Sequence, residues 1–149
     1  MVQTVRFTLD PRAVTELREL RARVGGPPEE PVVTVAAATS IPGCPARAAL
    51  DAELRLLALP SIWLATLGTV AGRPDELVLA AVVDAELLAV HAAVHDALAG
   101  RVKGPVAAYL PGAWLPHCVL ADERPAAAFA TLHPVTPVRA RVVGVRVSE

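Results

Sequence analysis

Near the C-terminal end of the chain, Leu115-Pro116-His117-Cys118-Val119-Leu120-Ala121 sets one imidazole among small apolar side chains. Read as a strand, the segment puts His117 and Val119 on one face and Cys118 and Leu120 on the other. An imidazole held there can take or give a proton near neutral pH. It can equally be a core side chain hydrogen-bonded to a neighbour. An earlier segment, Pro31-Val32-Val33-Thr34-Val35-Ala36, aligns with residues 116–121, with proline at the start and alanine at the end of both. In that alignment Val32 stands where the later segment has His117, and Thr34 stands where it has Val119. Strand alternation places all four on one kind of face.

Other residues invite chemical readings that are weaker. His91 and His95 are spaced i, i+4 on a helical pattern, a known metal-ligand geometry. The intervening HAAVH sequence lacks an acidic residue and no third ligand is evident, so a structural role is expected and no metal is assigned. His133, before Pro134, reads as a helix C-terminal residue that complements the dipole. Arg139, Arg141 and Arg146 could form a phosphate-binding row, but a solvated edge strand explains them without a ligand. Cys44 and Cys118 form no CxxC motif and are read as free, mostly buried thiols.

The elements that must position these residues follow from periodicity. Val5, Phe7 and Leu9 alternate with polar residues as a half-buried strand does. Asp10-Pro11 supplies an N-cap and an N1 proline for a helix whose stripe is Val14, Leu17, Leu20 and Val24, stopped by Gly25-Gly26-Pro27-Pro28. Residues 31–37 form a second strand. A second helix carries Leu50, Leu54 and Leu57. Residues 62–70 and 77–83 form strands of a hairpin around Gly72-Arg73-Pro74-Asp75. Asp84 caps a third helix with Leu87, His91, Val94 and Leu98 on one face. Residues 100–112 read as a loop, followed by the His117 strand, a short helix at 126–132 and a last strand at 137–147. In that strand a bulge near Gly144 would return all three arginines to solvent. The sum is a mixed α+β domain, single, with mostly antiparallel strands.

With those segments in place, the chain resembles the 2H phosphoesterase superfamily, in the branch labelled 2′-5′ RNA ligase family. The resemblance runs from the first strand through PVVTVA, Leu77-Val78-Leu79-Ala80 and the LLAVHAAV helix to PGAWLPHCVLA, and so spans most of the chain. The last piece is the most specific, because this branch commonly reads proline, glycine, any, Trp, any, Pro-His-x-Thr-Leu-Ala there. The resemblance implies an α+β fold of two pseudo-symmetric lobes, with mostly antiparallel sheets, helices packed outside and a central groove. It also implies metal-free phosphodiester chemistry by two His-x-Thr/Ser motifs that face each other. Here both motifs are half lost. Val32 takes the first histidine position and Thr34 is kept, whereas His117 is kept and Val119 takes the second hydroxyl position.

Two isopropyl groups cannot partner a phosphate, and burying an anion without partners costs several kcal/mol. Each positioned acid or base is worth ~10²–10⁴-fold in rate. Efficient phosphodiester hydrolysis is therefore not expected. The expectation is a groove repurposed for proton transfer on a small, largely apolar molecule, such as an isomerisation or cyclisation. His117 is its acid/base, Thr34 positions an oxygen, and Val32, Val119, Trp114 and Tyr109 line the site. Trp114 reads equally well as an aromatic at the interface of the lobes. The alternatives are a non-catalytic ligand-binding or regulatory protein, and a residual 2′,3′-cyclic phosphodiesterase or RNA-end-processing activity.

Composition sets outer limits. The 149 residues are 54% hydrophobic but only 3% aromatic, so the core must be built from Ala, Val and Leu. All but one of the 14 basic residues are arginine, the exception being Lys103, and the formal net charge is −1. With no basic run, nucleic acid is not an expected partner. No apolar stretch approaches the roughly 20 residues of a membrane span, and the alternating N-terminus does not read as a signal peptide. The expectation is a cytoplasmic protein, monomeric, with no cofactor, whose partner is a small-molecule ligand or substrate.

Overall fold

The computed structural model describes residues 2–148. Seven strands and four helices alternate irregularly: β1 (Gln3–Leu9), α1 (Pro11–Val24), β2 (Val32–Ser40), α2 (Gly43–Leu54), β3 (Ser61–Val70), β4 (Arg73–Ala81), α3 (Ala85–Leu98), β5 (Lys103–Pro105), β6 (His117–Ala121), α4 (Pro125–Leu132) and β7 (Val138–Val147). The strands form one sheet in the order β5-β2-β1-β7-β3-β4-β6, and every adjacent pair is antiparallel. The expected α+β class is met. No helix among the described residues is long and apolar enough to cross a membrane.

Local chemistry sets the ends of α1 as the sequence predicts. The Asp10 carboxylate accepts from the Ala13 N–H at 3.3 Å, Pro11 opens the helix, and Gly25 closes it in the left-handed region at φ 65°. Burial acts to raise the Asp10 pKa, but the N–H groups of Arg141 and Ala13 outweigh it and hold the carboxyl below its ordinary value. Gly26 is needed for a different reason: a Cβ there would collide with the Leu120 carbonyl of β6. That close approach brings the last turn of α1 onto β6, which matters for the site.

The core fills from one parity of each strand. Val5, Phe7 and Leu9 of β1, Val33 and Val35 of β2, and Cys118 and Leu120 of β6 are buried, with Leu17 of α1 and Leu87 and Val94 of α3 among them. The opposite parity of β1, β2 and β6 is left for the groove. The sheet curls so that β2 and β6, far apart in strand order, lie near each other.

Several expectations are corrected. The last strand is not an edge; β7 sits at the centre of the sheet between β1 and β3. Its arginines are nonetheless exposed, because the register shifts between Thr8 and Leu9 and so absorbs a residue near Gly144. Arg139 lies over the Trp63 ring at 5.3 Å, which gives that exposed indole a cover. Residues 100–112 are not all loop, since β5 pairs with the end of β2 and residues 107–109 form a 3₁₀ turn. α2 ends at Leu54, leaving Leu57 outside it, and Cys44 is exposed rather than buried. In α1 the stripe turns toward the core at Arg21, while Leu20 and Val24 are only partly buried.

Candidate functional site

A cleft of about 280 Å³ opens between β2 and β6, and Val32, Thr34, Tyr109, His117 and Val119 all line it. Alternation along two strands that are distant in sequence therefore brings the four motif positions to one cavity, as the aligned segments predict. Trp114 is not part of its lining. The indole is half-buried behind β2, where its N–H donates to the Thr34 carbonyl at 3.0 Å. Its ring stacks on His91 with centroids 3.9 Å apart and planes 2° from parallel. The expectation of Trp114 as a groove wall is corrected: it braces the strand that carries Thr34.

His117 is fixed from one side. Its Nδ1–H donates to the Leu115 carbonyl at 2.7 Å, two residues back along the chain. A ring whose Nδ1 carries the proton presents Nε2 as a lone-pair acceptor. The bond to the backbone thus selects the tautomer that can act as a base. The Thr34 hydroxyl makes no hydrogen bond among the described residues, although its carbonyl is engaged by Trp114. The Thr34 hydroxyl is therefore available to a ligand.

The walls differ from the apolar expectation. Arg6, Arg21, Arg73, Glu29 and Glu30 line the same cleft, so among the described residues its only aliphatic side chains are Val32 and Val119. Arg21 is buried and donates from Nε to the Val119 carbonyl at 2.9 Å, and from a terminal nitrogen to the Glu29 carbonyl at 2.6 Å. It ties α1 to β6 and to the loop before β2, fixing both sides of the cleft. Sequence does carry a signal for it, because Arg21 falls four residues after Leu17 on the buried stripe of α1. Arg6 carries none: its parity on β1 is that of Thr4 and Thr8, and only the pairing of Arg6 with Thr34 brings it to the cleft.

Behind β2, His91 and His95 form a clamp rather than a metal site. The Val35 carbonyl accepts from His91 Nε2 at 3.1 Å and from His95 Nε2 at 2.9 Å, and His91 Nε2 is also 2.9 Å from the Tyr109 carbonyl. One N–H is thus shared between two carbonyls, joining α3 to β2 and to the turn that carries Tyr109. Burial, with the neighbouring His95, pushes the His91 pKa down from 6.5 to about 4. Among the described residues no cluster of three or more His, Cys, Asp or Glu could hold a metal ion.

The remaining chemical groups do not join the site. Burial raises the Cys118 thiol to about 11 despite the nearby Arg21 guanidinium, so it stays protonated and unreactive. His133 caps the end of α4 and stacks on Phe129 at 4.9 Å. No family model matches the chain, and no curated protein matches it either.

Proposed function

We propose that the chain is a degenerate 2H phosphoesterase-like protein whose groove carries out proton transfer on a small molecule, with His117 as the base. The observation that carries this reading is the His117 imidazole, fixed through Nδ1 on the Leu115 carbonyl, in a cleft shared with the unengaged Thr34 hydroxyl. Nε2 takes a proton from the bound molecule and returns it at a second position. Thr34 donates to the oxygen on which charge develops, so the step is redox-neutral and needs no co-reactant. Val32 and Val119 receive the apolar part of the substrate. The likeness to the two-lobed family is supported by the arrangement of strands about β7. One half, β5-β2-β1, carries Val32 and Thr34; the other, β3-β4-β6, carries His117 and Val119. Loss of the first histidine and the second hydroxyl favours this reading over phosphodiester hydrolysis.

The test is conversion of a panel of small metabolites followed by mass spectrometry and by solvent-deuterium incorporation. His117→Ala is expected to lower any conversion by ~10²–10⁴-fold. Thr34→Val should lower kcat more than it raises KM. Saturable binding without turnover or deuterium exchange would sink the catalytic reading in favour of a ligand-binding protein, a role that the missing second imidazole also suits. Turnover of 2′,3′-cyclic AMP that disappears in His117→Ala would return the site to phosphodiester chemistry.

A further inference from the structure

We infer that the groove recognises its ligand through a single carboxylate, held by the guanidinium of Arg6. This deepens the proton-transfer reading, on which it rests for the identity of the site, but its evidence is separate. Arg6 projects from β1 beside Thr34, its partner on β2, and both line the cleft with His117. Arg6 is half-buried, and its Nε atom, buried itself, finds no hydrogen-bond acceptor among the described residues. A buried guanidinium N–H without an acceptor is costly and calls for an explanation, of which a bound anion drawn to this guanidinium is one.

The other arginines around the cleft are engaged. Arg21 donates to the carbonyls of Val119, Pro27 and Glu29. Arg73 pairs with Glu76 at 3.4 Å, and Arg146, opposite Arg6 on β7, pairs with Glu30 at 3.7 Å. Among the described residues Arg6 forms no ion pair. It also faces a like charge across the sheet, an arrangement that disfavours the empty site and is relieved by an anion.

Charge sets the class of anion. Once Arg73 and Glu30 are paired off, Arg6 and Arg21 face only Glu29 in the lining, an excess of one positive charge. A monoanion neutralises that excess, whereas the dianion of a phosphate monoester would exceed it. Geometry permits a carboxylate, since a guanidinium edge offers two parallel N–H donors that match its two oxygens as they would two of a phosphate, and the choice falls to the other partners in the cleft. The hydroxyl position that would serve a third phosphate oxygen is Val119. The ligand is thus a small monocarboxylate, with an apolar body on Val32 and Val119 and its proton-donating carbon or oxygen toward His117.

Benzoate, benzyl alcohol and phenyl phosphate test this on the full chain, with binding read by titration and by the ¹⁵N shift of the Arg6 Nε. Benzoate should bind in the millimolar range and move the Arg6 resonance, and Arg6→Gln should weaken it at least tenfold. Arg6→Lys, which keeps the charge but not the fork, should recover only part of that loss. Unfolding midpoints of both variants check that they fold, and the wild-type Arg6 shift needs no variant. Equal affinity for benzyl alcohol, an Arg6 resonance that neither anion moves, or tighter binding of phenyl phosphate would each overturn the assignment. Carboxylate binding without any turnover would instead remove the catalytic reading and leave this one standing.

Discussion

Lowering the pH from 7.5 to 5 should loosen the wall behind the groove, and His91 sets the size of the effect. Its pKa is 6.5 when unfolded and about 4 in the fold, because burial and His95 both oppose a second proton. A base with a depressed folded pKa stabilises the native state fully above the unfolded value. That contribution is lost as pH falls from about 6.5 toward about 4, since the unfolded chain binds the proton first. The full contribution has a ceiling of ~3 kcal/mol, and about 2 kcal/mol of it is gone by pH 5. In a domain of this size that corresponds to a fall in Tm of roughly 4–8 °C. The assay is urea unfolding at several pH values, comparing the wild type with His91→Gln, which keeps an amide donor for the Val35 carbonyl but does not titrate. The variant should be less stable at pH 7.5 and should lack this part of the acid loss. Because Trp114 rests on His91 and bonds to Thr34, Trp fluorescence should report the same midpoint. If His91→Gln loses as much stability between pH 7.5 and 5 as the wild type, the clamp does not operate as described.

Other outcomes follow from single contacts. Arg21→Met removes the donors to three part-buried carbonyls, those of Val119, Pro27 and Glu29, so a loss of about 1–3 kcal/mol is expected in denaturant unfolding. Asp10→Ala removes an N-cap and the acceptor for the Arg141 N–H, and should cost about 1–2 kcal/mol. The Asp10 carboxyl has a lowered folded pKa, so the wild type should lose this contribution as the pH falls below 4, and the variant should not. A thiol reagent at pH 8 should label one cysteine at once, the exposed Cys44, while the buried Cys118 reacts only as the chain unfolds. Mass mapping of the labelled peptides checks the assignment.

Much of the fold was legible because its signals are local. Asp10-Pro11 and Gly25 bound α1 through capping chemistry that acts within a turn, and alternation in β1, β2 and β6 sorts each strand into a core face and an open face. Position within the sheet is not local. The arginines of β7 suggested an edge because charge on alternate residues usually protects one. Here they lie on the solvent face of a central strand, and the bulge near Gly144 keeps them there while both neighbours remain paired. β5 is too short for periodicity to register, and it exists because the end of β2 offers it partners.

The candidate site divides along the same line. Val32, Thr34, His117 and Val119 could be placed together because each pair is set by strand alternation and the two strands echo each other. Nothing in that echo speaks of Arg6, whose role depends on which strand β1 pairs with and where the register slips. The slip lies between Val5 and Arg6, and it seats Arg6 against Thr34 rather than one residue along. A one-residue change of register would turn the opposite face of the strand toward the groove. The apolar substrate inferred from two valines was therefore drawn from half of the lining. The charged half comes from β1, α1, the loop before β2 and the start of β4, brought in by tertiary structure. Val32 and Val119 can offer a phosphate no hydrogen bonds, and Arg6 brings positive charge to the same cleft, so the lining is neither the apolar pocket read from the valines alone nor a full set of phosphate partners.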